Sequence, residues 1–204
     1  MLSNSAPSPK LTAAEYLEWE PYQHLRHEYI DGDIVAMTGG TIPHNDIVIN
    51  ILTALLPQVR ASGCRINMAD VKLCIEQIGD YYYPDLMVSC HPQDLNARKF
   101  LQFPKLIVEV LSPGTADKDR TNKFTSYQLI PTLQEYLLIS SERISVECYR
   151  RGEGRMWLYY PYVMGELVEL ESLGVSVPIE TIYTGINFLD NRNSTLETVV
   201  DSSS

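Results

Sequence analysis

Two carboxylates stand where a carboxylate needs a reason. Glu109 lies within Leu106-Ile107-Val108-Glu109-Val110-Leu111, an apolar run with the length and β-branched content of a strand. Desolvation penalises the charged form of a buried carboxyl, so it shifts its pKa or finds a cation. The ordinary solutions are an ion pair with Lys or Arg, or an edge position facing water. Pro84-Asp85 opens a second apolar run, Leu86-Met87-Val88. Taken alone, Asp85 reads as a turn residue. The interval between the two, 24 residues (109 minus 85), holds one strand, a polar loop from His91 to Gln102 and a return strand. If those strands pair, the carboxylates meet and repel unless a cation sits between them. Oxygen-only ligation with open positions suits Mg2+ or Mn2+ rather than zinc. Such ions polarise phosphoryl oxygens and acidify bound water, the chemistry of phosphodiester hydrolysis.

Further candidates lie outside these strands. Asp119, Lys123 and Tyr127 fall at i, i+4 and i+8, hence on one helical face that can be aimed at the carboxylates. The alternative for Lys123 is a solvated lysine paired with Asp119. Glu28 stands in a short strand beside Arg26 and His27, where a plain surface charge is as good a reading. His44 reads as an N-cap or loop-packing residue before a site residue. Tyr81-Tyr82-Tyr83 reads as core or edge-strand packing, with stacking on bases as the alternative.

The elements that must position these residues follow from pattern. Thr12-Ala13-Ala14-Glu15 is a capping box, predicting a helix over Thr12 to Trp19. Asp31-Gly32 between His27–Ile30 and Asp33–Met37 predicts a hairpin with a type I′ turn. Ile47, Ile51, Leu55 and Val59 recur at helical spacing, and Pro57 is expected to kink that helix or end its regular part. Strands are expected over 64–68, 71–76, 82–89 and 106–111, then a helix over 118–130 stopped by Pro131. Strands over 135–139, 144–149 and 156–160 follow, with a last helical turn at 178–183. No internal repeat or interior linker is found.

The chain has 204 residues and a net charge of −10. That length fits one domain with a full core. The acidic balance excludes a protein that coats nucleic acid non-specifically. It leaves room for a local basic track, for which Lys118, Arg120 and Lys123, then Arg98, Lys99 and Lys105, then Arg143, Arg150, Arg151 and Arg155 are the candidates. No apolar run is long enough to span a bilayer, and Met1 to Lys10 lacks the apolar stretch of a secretory signal. A cytoplasmic location is the expectation. Cys64, Cys74, Cys90 and Cys148 form no CxxC pair and read as reduced structural cysteines.

The ordered set Pro84-Asp85, Glu109-Val110-Leu111-Ser112-Pro113, Asp119 and Lys123 resembles a bacterial family of endonucleases. It is similar to the restriction endonuclease-like branch of the PD-(D/E)XK nuclease superfamily. Glu28-Tyr29-Ile30-Asp31-Gly32-Asp33-Ile34, His44 and Leu133-Gln134-Glu135-Tyr136 share the likeness, which spans Leu11 to about Phe188. The resemblance implies an α/β (α+β) fold, a mixed β-sheet flanked by helices, as one domain over 11–190 with polar tails at 1–10 and 191–204. It implies an endonuclease that hydrolyses phosphodiester bonds in DNA with Mg2+ or Mn2+. Asp85 and Glu109 would hold the metal, with the Val110 carbonyl as a further oxygen ligand. Glu28 would complete the shell, and Lys123 would orient water or stabilise charge. A homodimer is implied as well, because nucleases of this fold often pair to cut two strands. One departure matters: the superfamily pattern expects a lysine two residues after the Glu, and this chain has Leu111 there. Lys123 is the implied substitute. Two alternatives stay open. One is a catalytically inactive nuclease-fold binding module, favoured by the acidic balance and the missing strand lysine. The other is a hydrolase of a small phosphorylated molecule.

Overall fold

The capping box opens the fold as expected. In the computed structural model, which describes residues 10–37, 39–114 and 116–188, the Thr12 hydroxyl accepts the Glu15 N–H and the Glu15 carboxylate accepts the Thr12 N–H. Helix α1 (Ala13–Trp19) follows. Its buried Tyr16 donates its hydroxyl to the His27 carbonyl, 2.6 Å away, and so pins the helix to β1 (His27–Ile30). Strand β1 turns into β2 (Asp33–Ala36) through Asp31 and Gly32, at φ 49° and 82°. Both lie in the left-handed region that a two-residue type I′ turn requires.

Helix α2 (Ile42–Ala61) starts at Thr41, whose hydroxyl accepts the His44 N–H. The sequence led us to expect a kink or an end at Pro57, but the helix runs on to Ala61. Leu55 and Val59 flank the proline and are buried against the sheet. At roughly 1.5–3 kcal/mol for each buried aliphatic side chain, their packing offsets the roughly 3 kcal/mol that an interior proline costs.

The next strands are β3 (Arg65–Met68), β4 (Lys72–Ile75), β5 (Asp80–Tyr82) and β6 (Leu86–Ser89). The single strand expected over 82–89 is thus two, parted at Tyr83-Pro84-Asp85. The expected polar loop 91–102 contains α3 (Pro92–Asn96) and β7 (Phe100–Leu101). It is drawn in by buried Asp94, whose carboxylate accepts the N–H groups of Gln102 and Phe103, both at 2.9 Å. Strand β8 (Leu106–Leu111) has its expected bounds. The helix expected over 118–130 is α4 (Ala116–Lys118), a π turn (Asp119–Lys123) and α5 (Phe124–Tyr127). Strands β9 (Glu135–Ser140), β10 (Val146–Arg151) and β11 (Trp157–Tyr162) complete the main run. A hairpin of β12 (Leu167–Leu170) and β13 (Val175–Pro178), not foreseen from the sequence, leads to α6 (Ile179–Ile182).

Among the described residues, the strands form a six-stranded sheet in the order β11-β10-β9-β8-β6-β3 and a five-stranded sheet in the order β2-β1-β5-β4-β7. Strands β8 and β9 run parallel, as do β4 and β7, while the other pairs run antiparallel. This is the mixed sheet flanked by helices that the resemblance implied. Period-2 alternation divides β8. Leu106, Val108 and Val110 join the α2 stripe in one core, whereas Ile107 and Leu111 join Tyr127, Tyr136 and Leu138 in the other.

The cysteines correct the sequence reading. Cys64 and Cys90 form a disulfide, and Cys74 and Cys148 are free and buried. Arg65 pairs with Ser89 across β3 and β6, so one step further along the register brings Cys64 to Cys90, with Cα atoms 4.3 Å apart. Most of the expected N-terminal tail and the whole of the C-terminal one, 191–204, lie outside the described residues, as do positions 189 and 190 of the expected domain. Among the described residues, no helix is long and apolar enough to cross a membrane.

Candidate active site

Strand pairing brings the two carboxylates together. Leu86 is opposite Val108, so the next position outward sets Asp85 beside Glu109. The Asp85 N–H donates to Glu109 Oε2 at 3.4 Å, and the Val110 N–H donates to Asp85 Oδ2 at 2.7 Å. Glu109 is 3% exposed. Alternation along β8 puts it on the face covered by the α4–α5 segment, which crosses from β8 to the parallel strand β9.

That crossover delivers Lys123. Its Nζ lies 3.0 Å from Glu109 Oε1, 3.3 Å from Glu28 Oε1 and 3.4 Å from Asp119 Oδ1. Tyr127, one turn on, donates its buried hydroxyl to the same Glu109 Oε1 at 2.9 Å. The face Asp119, Lys123, Tyr127 read from the sequence therefore does meet Glu109. Leu111, in the place where a strand lysine was due, is packed in the core with Tyr127 and Ile130. Glu28 also accepts the Tyr83 N–H at 3.3 Å, so it ties Lys123 to the turn before Asp85.

The electrostatics follow from burial and crowding. Burial pushes the Glu109 carboxyl up to about 8, and the negative charges of Asp85, Asp119 and Glu28 add to the rise against the opposing pull of Lys123. Burial also works against the Lys123 ammonium, but Glu109, Glu28 and Asp119 outweigh it and hold the group charged, well above the usual lysine value. Three carboxylates, Glu28, Glu109 and Asp119, thus share one lysine.

His44, expected as an N-cap or loop-packing residue before a site residue, is neither: Thr41 caps α2, His44 lies in its first turn, and its ring Nε2 is 3.2 Å from Asp85 Oδ1. Burial lowers its basicity, yet the bond to Asp85 outweighs this and holds the imidazole above its ordinary value. The family likeness included His44, but no local pattern marked its contact with Asp85. Asp119, part of the same likeness and of the helical face, sits within 3.4 Å of Lys123.

The cluster opens into a cleft of about 710 Å3. Asp85, Glu109, Asp119 and Lys123 line it together with Arg26, Asp70 and residues 39–42. Three of the basic-track candidates are spent on structure: Arg120 pairs with Glu147, Arg150 with Glu135 and Glu171, and Arg151 donates to the Leu133, Gln128 and Ile130 carbonyls. Those side chains hold strands together. Tyr81, Tyr82 and Tyr83 are all at most 7% exposed, which agrees with the packing expected of them and leaves no face for base stacking.

The residues present fit a divalent cation by charge and donor type. One lysine leaves a cluster of four carboxylates short of positive charge, and among the described residues the buried Asp119 Oδ1 accepts no hydrogen bond and has only the Lys123 ammonium at 3.4 Å beside it. Oxygen donors of this kind suit Mg2+ or Mn2+. Among the described residues, no three His, Cys, Asp or Glu side chains converge closely enough to enclose an ion by themselves.

Comparison with known proteins places this geometry. Residues 13–180 match the model of the Uma2 family, described as "Putative restriction endonuclease". The chain is 40% identical over 186 residues to the "Uncharacterized protein slr1290" of Synechocystis sp., covering 91% of this chain and 98% of that protein. It is 37% identical over 163 residues to "Uncharacterized protein sll1609" of the same organism, covering 79% and 92%. A solved structure from Anabaena variabilis, "a putative nuclease belonging to DUF820", superposes with a TM-score of 0.70 at 21% identity, over 85% of this chain and 97% of that one. At that identity the likeness is one of fold.

Proposed function

The chain belongs to the Uma2 family, within the restriction endonuclease-like proteins, and from that premise we propose that it is a divalent-metal-dependent endonuclease acting on phosphodiester bonds in DNA. The observation that carries the proposal is the meeting of Asp85, Glu109 and Lys123 at the wall of an open cleft. Asp85 and Glu109 are the residues that would hold Mg2+ or Mn2+, with the Val110 carbonyl as a further oxygen donor. Such an ion, when bound, supplies Lewis-acid polarisation of a phosphoryl oxygen and acidified water.

The chain's own groups do the rest. The Lys123 ammonium, held charged by its three carboxylates, orients the attacking water or donates to the oxygen on which charge develops. Glu28 and Asp119 position Lys123, and the Tyr127 hydroxyl fixes the Glu109 carboxylate. Val110 N–H and His44 hold the two oxygens of Asp85. The crowded carboxylates also favour metal over solvent, because an incoming cation relieves the burial cost of Glu109.

The test is nicking of supercoiled plasmid in Mg2+ or Mn2+. Asp85→Ala and Glu109→Ala are expected to abolish nicking and to lose Mn2+ binding by calorimetry. Undiminished cleavage by both variants would overturn the assignment.

A further inference from the structure

The cleft carries too little positive charge to hold a duplex by its backbone. Its lining contains two Lys or Arg residues, Arg26 and Lys123, and four carboxylates, Asp70, Asp85, Glu109 and Asp119. Neither cation is free: Arg26 Nε lies 3.2 Å from Asp70, and Lys123 is shared by three carboxylates. The chain as a whole has a net charge of −10. Duplex affinity normally comes from a row of Lys and Arg on phosphates, which position the helix and release its counterions.

The mouth of the same cleft offers a different kind of contact. Leu25 is 58% exposed and Ile42 is 78% exposed, and both line it together with the exposed His24. Single exposed apolar residues are normal on a protein surface. These two come from separate elements, the segment before β1 and the first position of α2, and line the same cleft as the carboxylates. Aliphatic side chains of this kind wedge between base steps at the cost of unstacking them, and an imidazole stacks on an exposed base face. That cost is least where the bases are already unpaired.

We propose that the cleft takes DNA through unpaired bases, so that its substrate class is single-stranded DNA or the single-stranded stretch of a distorted duplex, with Leu25, Ile42 and His24 as the base-contacting wall. The inference rests on the endonuclease reading and adds the substrate form to it.

The test compares one labelled sequence as a single strand, as a perfect duplex and as a duplex with an internal mismatched bubble, each cut by the full chain in Mn2+ at low and at moderate salt. The single strand and the bubble are expected to be cut about tenfold faster than the perfect duplex, the margin that loss of base contact typically brings. Leu25→Ser and Ile42→Ser together should lower single-strand cleavage by a similar factor, about tenfold, while Mn2+ binding and circular dichroism stay unchanged. Leu158→Ser, an exposed apolar position outside the cleft lining, should change nothing. A perfect duplex cut as fast as the bubble, or a double variant as active as the parent, overturns the inference and leaves the endonuclease reading standing. No cleavage of any of the three in Mg2+ or Mn2+ overturns that reading, and this one falls with it.

Discussion

Lys123 Nζ lies 3.0 Å from Glu109 Oε1, although the two residues sit on different elements, 14 positions apart in the chain. The usual strand lysine of the superfamily pattern would reach the same neighbourhood from Leu111. Here a helical segment delivers the cation across the sheet instead. Lys123→Met is therefore expected to lower nicking about 100-fold, the loss typical of one charge-stabilising donor. Mn2+ binding should strengthen in the same variant, because Glu109 no longer shares its oxygen with an ammonium. Weaker metal binding with normal turnover would show that Lys123 serves the ion and not the chemistry.

A pH dependence follows from Glu109. In the metal-free protein its carboxyl is raised from an ordinary value of 4.5 to about 8 by burial. The native state then keeps a proton that the unfolded chain has lost, so stability falls as pH rises through that window. Thermal unfolding in chelator should show a midpoint that declines between those two pH values, and Glu109→Gln should flatten the decline. His44 adds a slope of the same sign, because its raised value makes a contribution that is full below 6.5 and lost above its folded pKa. A slope unchanged in Glu109→Gln would assign the whole effect to other groups.

How much of this was readable in the sequence depends on range. The strand Leu106–Leu111, the Asp31-Gly32 turn and the capping box at Thr12 were legible because each is fixed by neighbours in the chain. The convergence of Asp85 and Glu109 was legible as a condition, namely that their strands pair. The π turn at Asp119–Lys123 was not, since i+4 spacing reads alike through a regular helix and a widened turn. The fate of the arginines was hidden for a different reason. Arg150 and Arg151 look like surface charge until strand register sets them against Glu135 and the Leu133 carbonyl. The cleft wall joins Leu25, in a segment with no pattern of its own, to Ile42 at the first position of α2, so only the folded chain reveals it.

His44 should act through Asp85. Its Nε2 lies 3.2 Å from Asp85 Oδ1, and a group that orients a metal-holding carboxylate is typically worth roughly 10- to 100-fold in affinity or activity. His44→Ala is expected to weaken Mn2+ binding within that range, and His44→Asn should recover part of the loss by keeping a donor. If His44→Ala binds Mn2+ normally but turns over slowly, the imidazole acts on the substrate and not on Asp85.

The Cys64–Cys90 disulfide yields the last prediction. It joins the residue before β3 to the residue after β6, across a sequence separation of 26. Closing a loop of that length restricts the unfolded chain by about 3 kcal/mol. Cys90 stands at the far end of β6 from Asp85, so the link bears on the sheet and not on the site. Reduction should therefore lower the guanidinium unfolding midpoint while leaving nicking rates at low temperature intact. The Cys64→Ser, Cys90→Ser double variant should already sit at the lower midpoint and ignore reductant. Buried Cys74 and Cys148 give no second source for such a response, since neither has a disulfide partner. An unfolding midpoint that reductant does not move in the parent protein would return both residues to the reduced state that their spacing suggested.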